Sequence, residues 1–171
     1  MQAWSGFYAV TAAAAATLMG LLFVAISVNV AVILGEGQEN SRRMAEQAFQ
    51  NYLAVLLVSL LALFPSMTLA QLGFVTLCAT GVSAVWVLVR GYLALTRPNR
   101  EGMRLRSLRR QASSLLGFAM LVFAAAQMAL NTGDDRNLYA VATIILLFSA
   151  TAVSWELLIR ISKTKEGGSG G

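Results

Sequence analysis

The 171-residue chain has no histidine and a single cysteine, Cys78, and these two shortages remove whole classes of chemistry. Without imidazole there is no ready general base near neutral pH and no histidine metal ligand, and one thiol makes neither a disulfide nor a cysteine-rich zinc site. Charge is scarce as well. Asp, Glu, Lys and Arg make up 12% of the residues, about half the roughly 25% of an ordinary soluble domain. Proline occurs only twice, at Pro65 and Pro98, so few places force a helix to stop. What fills the chain is apolar: 57% of the residues are hydrophobic and the mean hydropathy is +0.67. This material falls in blocks of 20 or more residues, which reads as an all-α polytopic membrane protein and not as a soluble globular domain.

The net charge of +5 acquires its meaning from where the thirteen Lys and Arg residues lie, which is beside the apolar blocks. That placement matches the basic loops that orient membrane helices and gives no indication of nucleic acid. The first block, residues 4–34, has no charge at all and would be about 46 Å long as a helix, more than the ~30 Å of a hydrocarbon layer. It lacks the basic start and short apolar core of a cleaved signal peptide, so it reads as a retained span. A polar stretch, 35–50, reads as a short loop leading into the next helix, with Asn40 or Ser41 as N-cap. Residues 51–89 then carry no charge, and with 90–95 added would make a helix of about 68 Å, so two spans are required. Phe64-Pro65-Ser66 is the strong breaker, which puts the turn at 65–68.

The expected spans are therefore about 4–34, 46–64, 69–95, 113–130 and 138–161, in one domain of residues 1–166. Residues 167–171 are all Gly or Ser and read as a linker remnant. Five spans place twelve Lys and Arg on one side and one on the other; merging the second and third would give ten against three. The sharper segregation predicts an N-terminus outside and a C-terminus inside, in a multi-pass plasma-membrane protein.

Three polar residues inside the spans stand out: Asn29, Arg90 and Glu156, each five residues before the inner end of its span. They share a depth roughly 7 to 8 Å inside the inner boundary, where an unpaired ion is costly. They are expected to form a polar cluster, as a clasp or as part of an ion path. The competing reading has Arg90 reaching for headgroups and Glu156 pairing with Arg160 one turn on. At the outer end, Gln71, Gln127, Asn131, Asp134 and Asp135 form a candidate cation-attracting mouth, or else a solvated loop. On the inner side, Arg97, Arg100, Arg104, Arg106, Arg109 and Arg110 surround Met103, Leu105 and Leu108. Residues 101–112 are expected to lie on the membrane surface as a short helix binding anionic lipid, unless the charges serve topology alone.

Small residues recur at four-residue spacing in the first span, Ala9, Ala13 and Thr17 on one row and Ala12, Ala16 and Gly20 on the next. A weaker set is Gly73, Gly81 and Ala84. Such rows permit close helix contact, either within the protomer or between copies. Enzyme chemistry is not indicated: both lysines, Lys163 and Lys165, lie in the tail, only one carboxylate is intramembrane, and no glycine-rich phosphate loop occurs. No metal or other cofactor is expected.

The segment Trp4-Ser5-Gly6-Phe7, followed by Gly20-Leu21-Leu22-Phe23-Val24-Ala25-Ile26-Ser27-Val28-Asn29, resembles the first span of small bacterial integral membrane proteins, some of them described as modulators of a membrane-anchored AAA protease. The resemblance covers roughly the first 65 residues and implies a bacterial inner membrane; it assigns no functional residues. Two functions are expected from the whole chain. One is a homo-oligomeric ion-conducting pore, since five spans leave little room for an aqueous path inside one protomer, with Thr17, Ser27 and Asn29 as candidate lining residues. The other is an accessory or regulatory subunit packed against a larger membrane complex such as a protease or transporter.

Overall fold

The computed structural model describes residues 2–35, 39–81, 101–130 and 136–168. They form helices and no strand: α1 Gln2–Val28, α2 Val30–Leu34, α3 Glu39–Ala62, α4 Leu69–Gly81, α5 Glu101–Ala129 and α6 Arg136–Gly168. The third expected span lies in part, and residues 96–100 wholly, outside the described residues.

Local chemistry sets most of the boundaries. Helix α3 starts with an acidic residue, Glu39, which favours a helix N-terminus. Arg43 donates to Glu39 at 2.6 Å and Arg42 to Glu46 at 3.1 Å, each pair one turn apart on an exposed face. Such pairs add little stability, but they let a polar sequence stay helical. The stretch expected as a loop is thus mostly helix, from Glu39 onward, and neither Asn40 nor Ser41 is its cap. The chain leaves the helix after Ala62, where Leu63 N–H is shared between Ser59 O and Leu60 O. Pro65 prevents continuation. Helix α4 opens with a reciprocal cap, Gln71 N–H donating to Thr68 Oγ1 at 3.3 Å and Thr68 N–H to Gln71 Oε1 at 3.0 Å.

The basic segment 101–112 is not a separate surface helix: it is the first part of α5, which runs unbroken to Ala129. Leu, Met, Arg, Gln and Ala dominate this stretch and no proline interrupts it, so helix propagation is favoured over a second nucleation. Helix α6 likewise continues through both lysines to Gly168, into the stretch read as a linker.

Helix α3 is clasped between α1 and α6, and α6 in turn packs on α5. Helices α1 and α6 run in the same direction, α3 against both. At the end where α1 and α6 begin, the Tyr8 and Tyr139 rings meet edge to face at 6.2 Å. The surrounding apolar cluster includes Val55, Val58, Phe118, Leu121 and Leu146. At the other end, Leu22, Ile33, Met44, Tyr52, Leu157 and Ile161 form a second cluster. Helix α4 joins α6 through Thr76 and Tyr139 hydroxyls 2.8 Å apart, and lies so close to α5 that Gly73 faces Ala125 and Ala129 backbone directly.

By length and composition α1 (Trp4–Val28) and α6 (Arg136–Ser162) are apolar enough to cross a bilayer. Only 22% and 39% of their apolar windows are buried, unlike the core helix of a soluble protein. Phe148, Val28 and Val10 stand more than two-thirds exposed. An apolar surface of this extent marks contact with lipid or with another protein.

Candidate functional site

The interior of the bundle holds a polar layer between its two apolar clusters. Asn51 on α3 is 1% exposed and sits where α5 and α6 converge. Its Oδ1 accepts from Ser114 Oγ at 2.8 Å, and its Nδ2 donates to Ser149 Oγ at 3.4 Å. Ser113 Oγ and Ser149 Oγ are 3.0 Å apart. One residue along α3, Tyr52 OH donates to Thr151 Oγ1 at 3.3 Å and accepts from Ser154 Oγ at 3.4 Å. Asn51, Ser114 and Ser149 each lie near the middle of their helix. A fully bonded neutral network there avoids the cost of bare polar groups in an apolar surrounding and ties three helices into one register. Two polar atoms flank it on α3 without a partner among the described residues, Gln47 Nε2 one turn before Asn51 and Ser59 Oγ two turns after.

The residues singled out from the sequence fall elsewhere. Asn29 occupies the break between α1 and α2, where Nδ2 donates to Ala25 O at 2.8 Å. Glu156 and Arg160 face each other at 3.8 Å on a half-exposed part of α6, the pairing that competed with the polar cluster. Arg90 lies outside the described residues, so the three-residue cluster does too. Of the candidate outer mouth, Gln71 caps α4 and Gln127 is half-buried on α5, while Asn131, Asp134 and Asp135 lie outside the described residues. Arg104, Arg106, Arg109 and Arg110 belong to the first half of α5, and Arg97 and Arg100 fall outside. Among the described residues no group of three or more Cys, Asp or Glu is placed to hold a metal ion.

The small rows of α1 sort differently from their four-residue spacing. Ala12 faces α3 with Tyr8, Thr11, Ala15 and Leu22, whereas Ala9, Ala13, Ala16, Thr17 and Gly20 all point away from the bundle. The open face follows a seven-residue repeat: Gly6, Ala13, Gly20 and Ser27 on one edge, Ala9, Ala16, Phe23 and Val30 on the other, every one exposed. A Cβ added at Gly6 or Gly20 would meet nothing within 4 Å. Thr17 and Ser27 turn their hydroxyls back to Ala13 O and Phe23 O, 2.8 and 2.9 Å away, which leaves the face apolar. Alternating three- and four-residue spacing is the pattern of a seam between helices. Gly81 is also open, Ala84 lies outside the described residues, and of that weaker set Gly73 makes the close contact.

No family model matches the chain, and neither a curated protein nor a solved structure matches it.

Proposed function

We propose that the chain is a non-enzymatic, five-span protein of a bacterial inner membrane, N-terminus outside and C-terminus inside, whose copies assemble through the open face of α1 and conduct ions along the shared axis. The observation that carries this reading is the exposed seven-residue repeat of small side chains. In a lone protomer these positions would face lipid, where bulky side chains fit as well; Gly and Ala there favour close approach of another helix. Apolar clusters and a hydrogen-bonded polar layer fill the described interior, so a water path belongs between protomers. A ring of α1 helices would leave a narrow lumen past Gly6, Ala13 and Gly20. Phe23 and Val30, 63% and 47% exposed, would constrict it toward the inner end as a hydrophobic gate. Membrane lipid surrounds the assembly, and the arginines at 97, 100, 104, 106, 109 and 110 lie on the inner side, where anionic headgroups attract them.

Two measurements on one preparation test the proposal. With Cys78→Ser as background, Ala13→Cys is expected to cross-link between copies in mild detergent, while the inward-facing Ala15→Cys is not. In liposomes, Phe23→Ala is expected to raise ion flux at least tenfold over wild type, and Gly20→Leu to abolish it. A monomer with neither cross-link nor flux would overturn the pore and assign the same face to a different membrane protein, as in an accessory subunit.

A further inference from the structure

The break between α1 and α2 is built from a specific exchange of hydrogen bonds. In an unbroken helix the Asn29 N–H would bond to Ala25 O; here it turns to Ile26 O at 3.1 Å, with φ −117° and ψ 24° at Asn29. The carbonyl so released is taken by the side chain of the same residue, Nδ2 donating to Ala25 O at 2.8 Å. Helix α2 then restarts with Ile33 N–H bonding to Asn29 O at 3.0 Å. Thr17 and Ser27 also bond the carbonyl four residues back, without interrupting the helix. The break at Asn29 is therefore a rearrangement of its own backbone N–H, which the side-chain amide makes good.

This arrangement is incomplete in one respect: Asn29 Oδ1 is buried and has no partner among the described residues. An unpaired buried acceptor raises the energy of the broken form and brings it closer to the continuous helix. Both sides of the break are held against the bundle, with Leu22 of α1 and Ile33 of α2, the latter 2% exposed, in the same apolar cluster. Phe23 lies before the break and Val30 directly after it, so a change at Asn29 moves one bulky residue of the open face relative to the other.

We infer that Asn29 is a hinge that regulates the constriction formed by Phe23 and Val30, by exchanging its side-chain and backbone donors on Ala25 O. This rests on the pore reading above for its effect on conduction, but not for the hinge itself. The test compares wild type with Asn29→Ala and Asn29→Ser, two small replacements of which either suffices if folded. In amide hydrogen exchange on detergent-solubilised protein, residues 29–31 are expected to be protected at least tenfold more in the variants, because the backbone N–H regains Ala25 O. In liposomes the same variants are expected to change flux at least fivefold, with cross-linking at Ala13→Cys unaltered. Unchanged protection overturns the hinge. Greater protection with wild-type flux overturns its regulatory role. If the variants gain protection while no protein conducts, Phe23→Ala included, the pore reading fails and the regulation with it.

Discussion

Gly73→Ala is expected to lower the unfolding midpoint of the detergent-solubilised protein by on the order of 10 °C. A Cβ built at Gly73 would lie 2.5 Å from Ala125 O, 2.6 Å from Ala129 N and 3.0 Å from Met128 Cβ. The first two are backbone atoms of a continuous helix, so α4 must move off α5 as a unit, and the Thr76 to Tyr139 hydrogen bond, one turn along, must move with it. Overpacking of this kind costs about 3 kcal/mol. Gly117→Ala is the internal control. There the nearest atoms are Leu146 Cγ and Cδ2, both at 2.8 Å, which belong to one side chain and not to a helix backbone, so local repacking suffices and no helix has to move. Its cost is expected to be about 1 kcal/mol. Intrinsic tryptophan fluorescence during heating separates the two, and equal midpoints would mean that the α4–α5 approach is not as close as described.

Asn51→Asp is expected to destabilise by about 3 kcal/mol at neutral pH, the cost of an uncompensated ion at a buried site that holds a neutral amide. The carboxylate can still accept from Ser114, but the Nδ2 bond to Ser149 has no replacement. Burial disfavours the charged form, so this variant should gain stability as the pH is lowered and the group is neutralised, while wild type, with an amide there, shows no such trend from this site. Asn51→Leu is expected to cost less, about 1 kcal/mol, because the serines it abandons can bond carbonyls of their own helices. Chemical denaturation in mixed micelles across acid and neutral pH measures both. An Asn51→Asp protein as stable as wild type at neutral pH would show that the layer is open to water.

The contrast between these two positions also explains what was legible in the sequence. Gly73 was visible as one of a spaced set of small residues, and the turn after Ala62 was visible in Pro65, because glycine and proline act on the backbone wherever they stand. The polar layer was not. Ser113, Ser114 and Ser149 carry no charge, and serines commonly satisfy themselves within a span, as Thr17 and Ser27 do here. Asn51 adjoined a polar stretch and was hidden by it. The available signal was depth, since an amide and three hydroxyls fall near the centres of three helices. Spacing misled in α1 for a related reason: a four-residue row drifts around a helix, so Ala12 turned inward while Ala16 and Gly20 turned outward. The basic stretch before α5 declared its charge but not its continuity with the helix that follows.

The position of α6 has a consequence for how the protein is made. It is the helix against which both α3 and α5 pack, it completes the polar layer through Ser149, and it leaves the ribosome after both of them. Until it arrives, Tyr52 lacks its partners, Asn51 has only Ser114, and the faces of α3 and α5 that pack on α6 stand open. Assembly during synthesis therefore waits on α6, and a chain truncated before it would leave the apolar faces of α3 and α5 that it covers exposed.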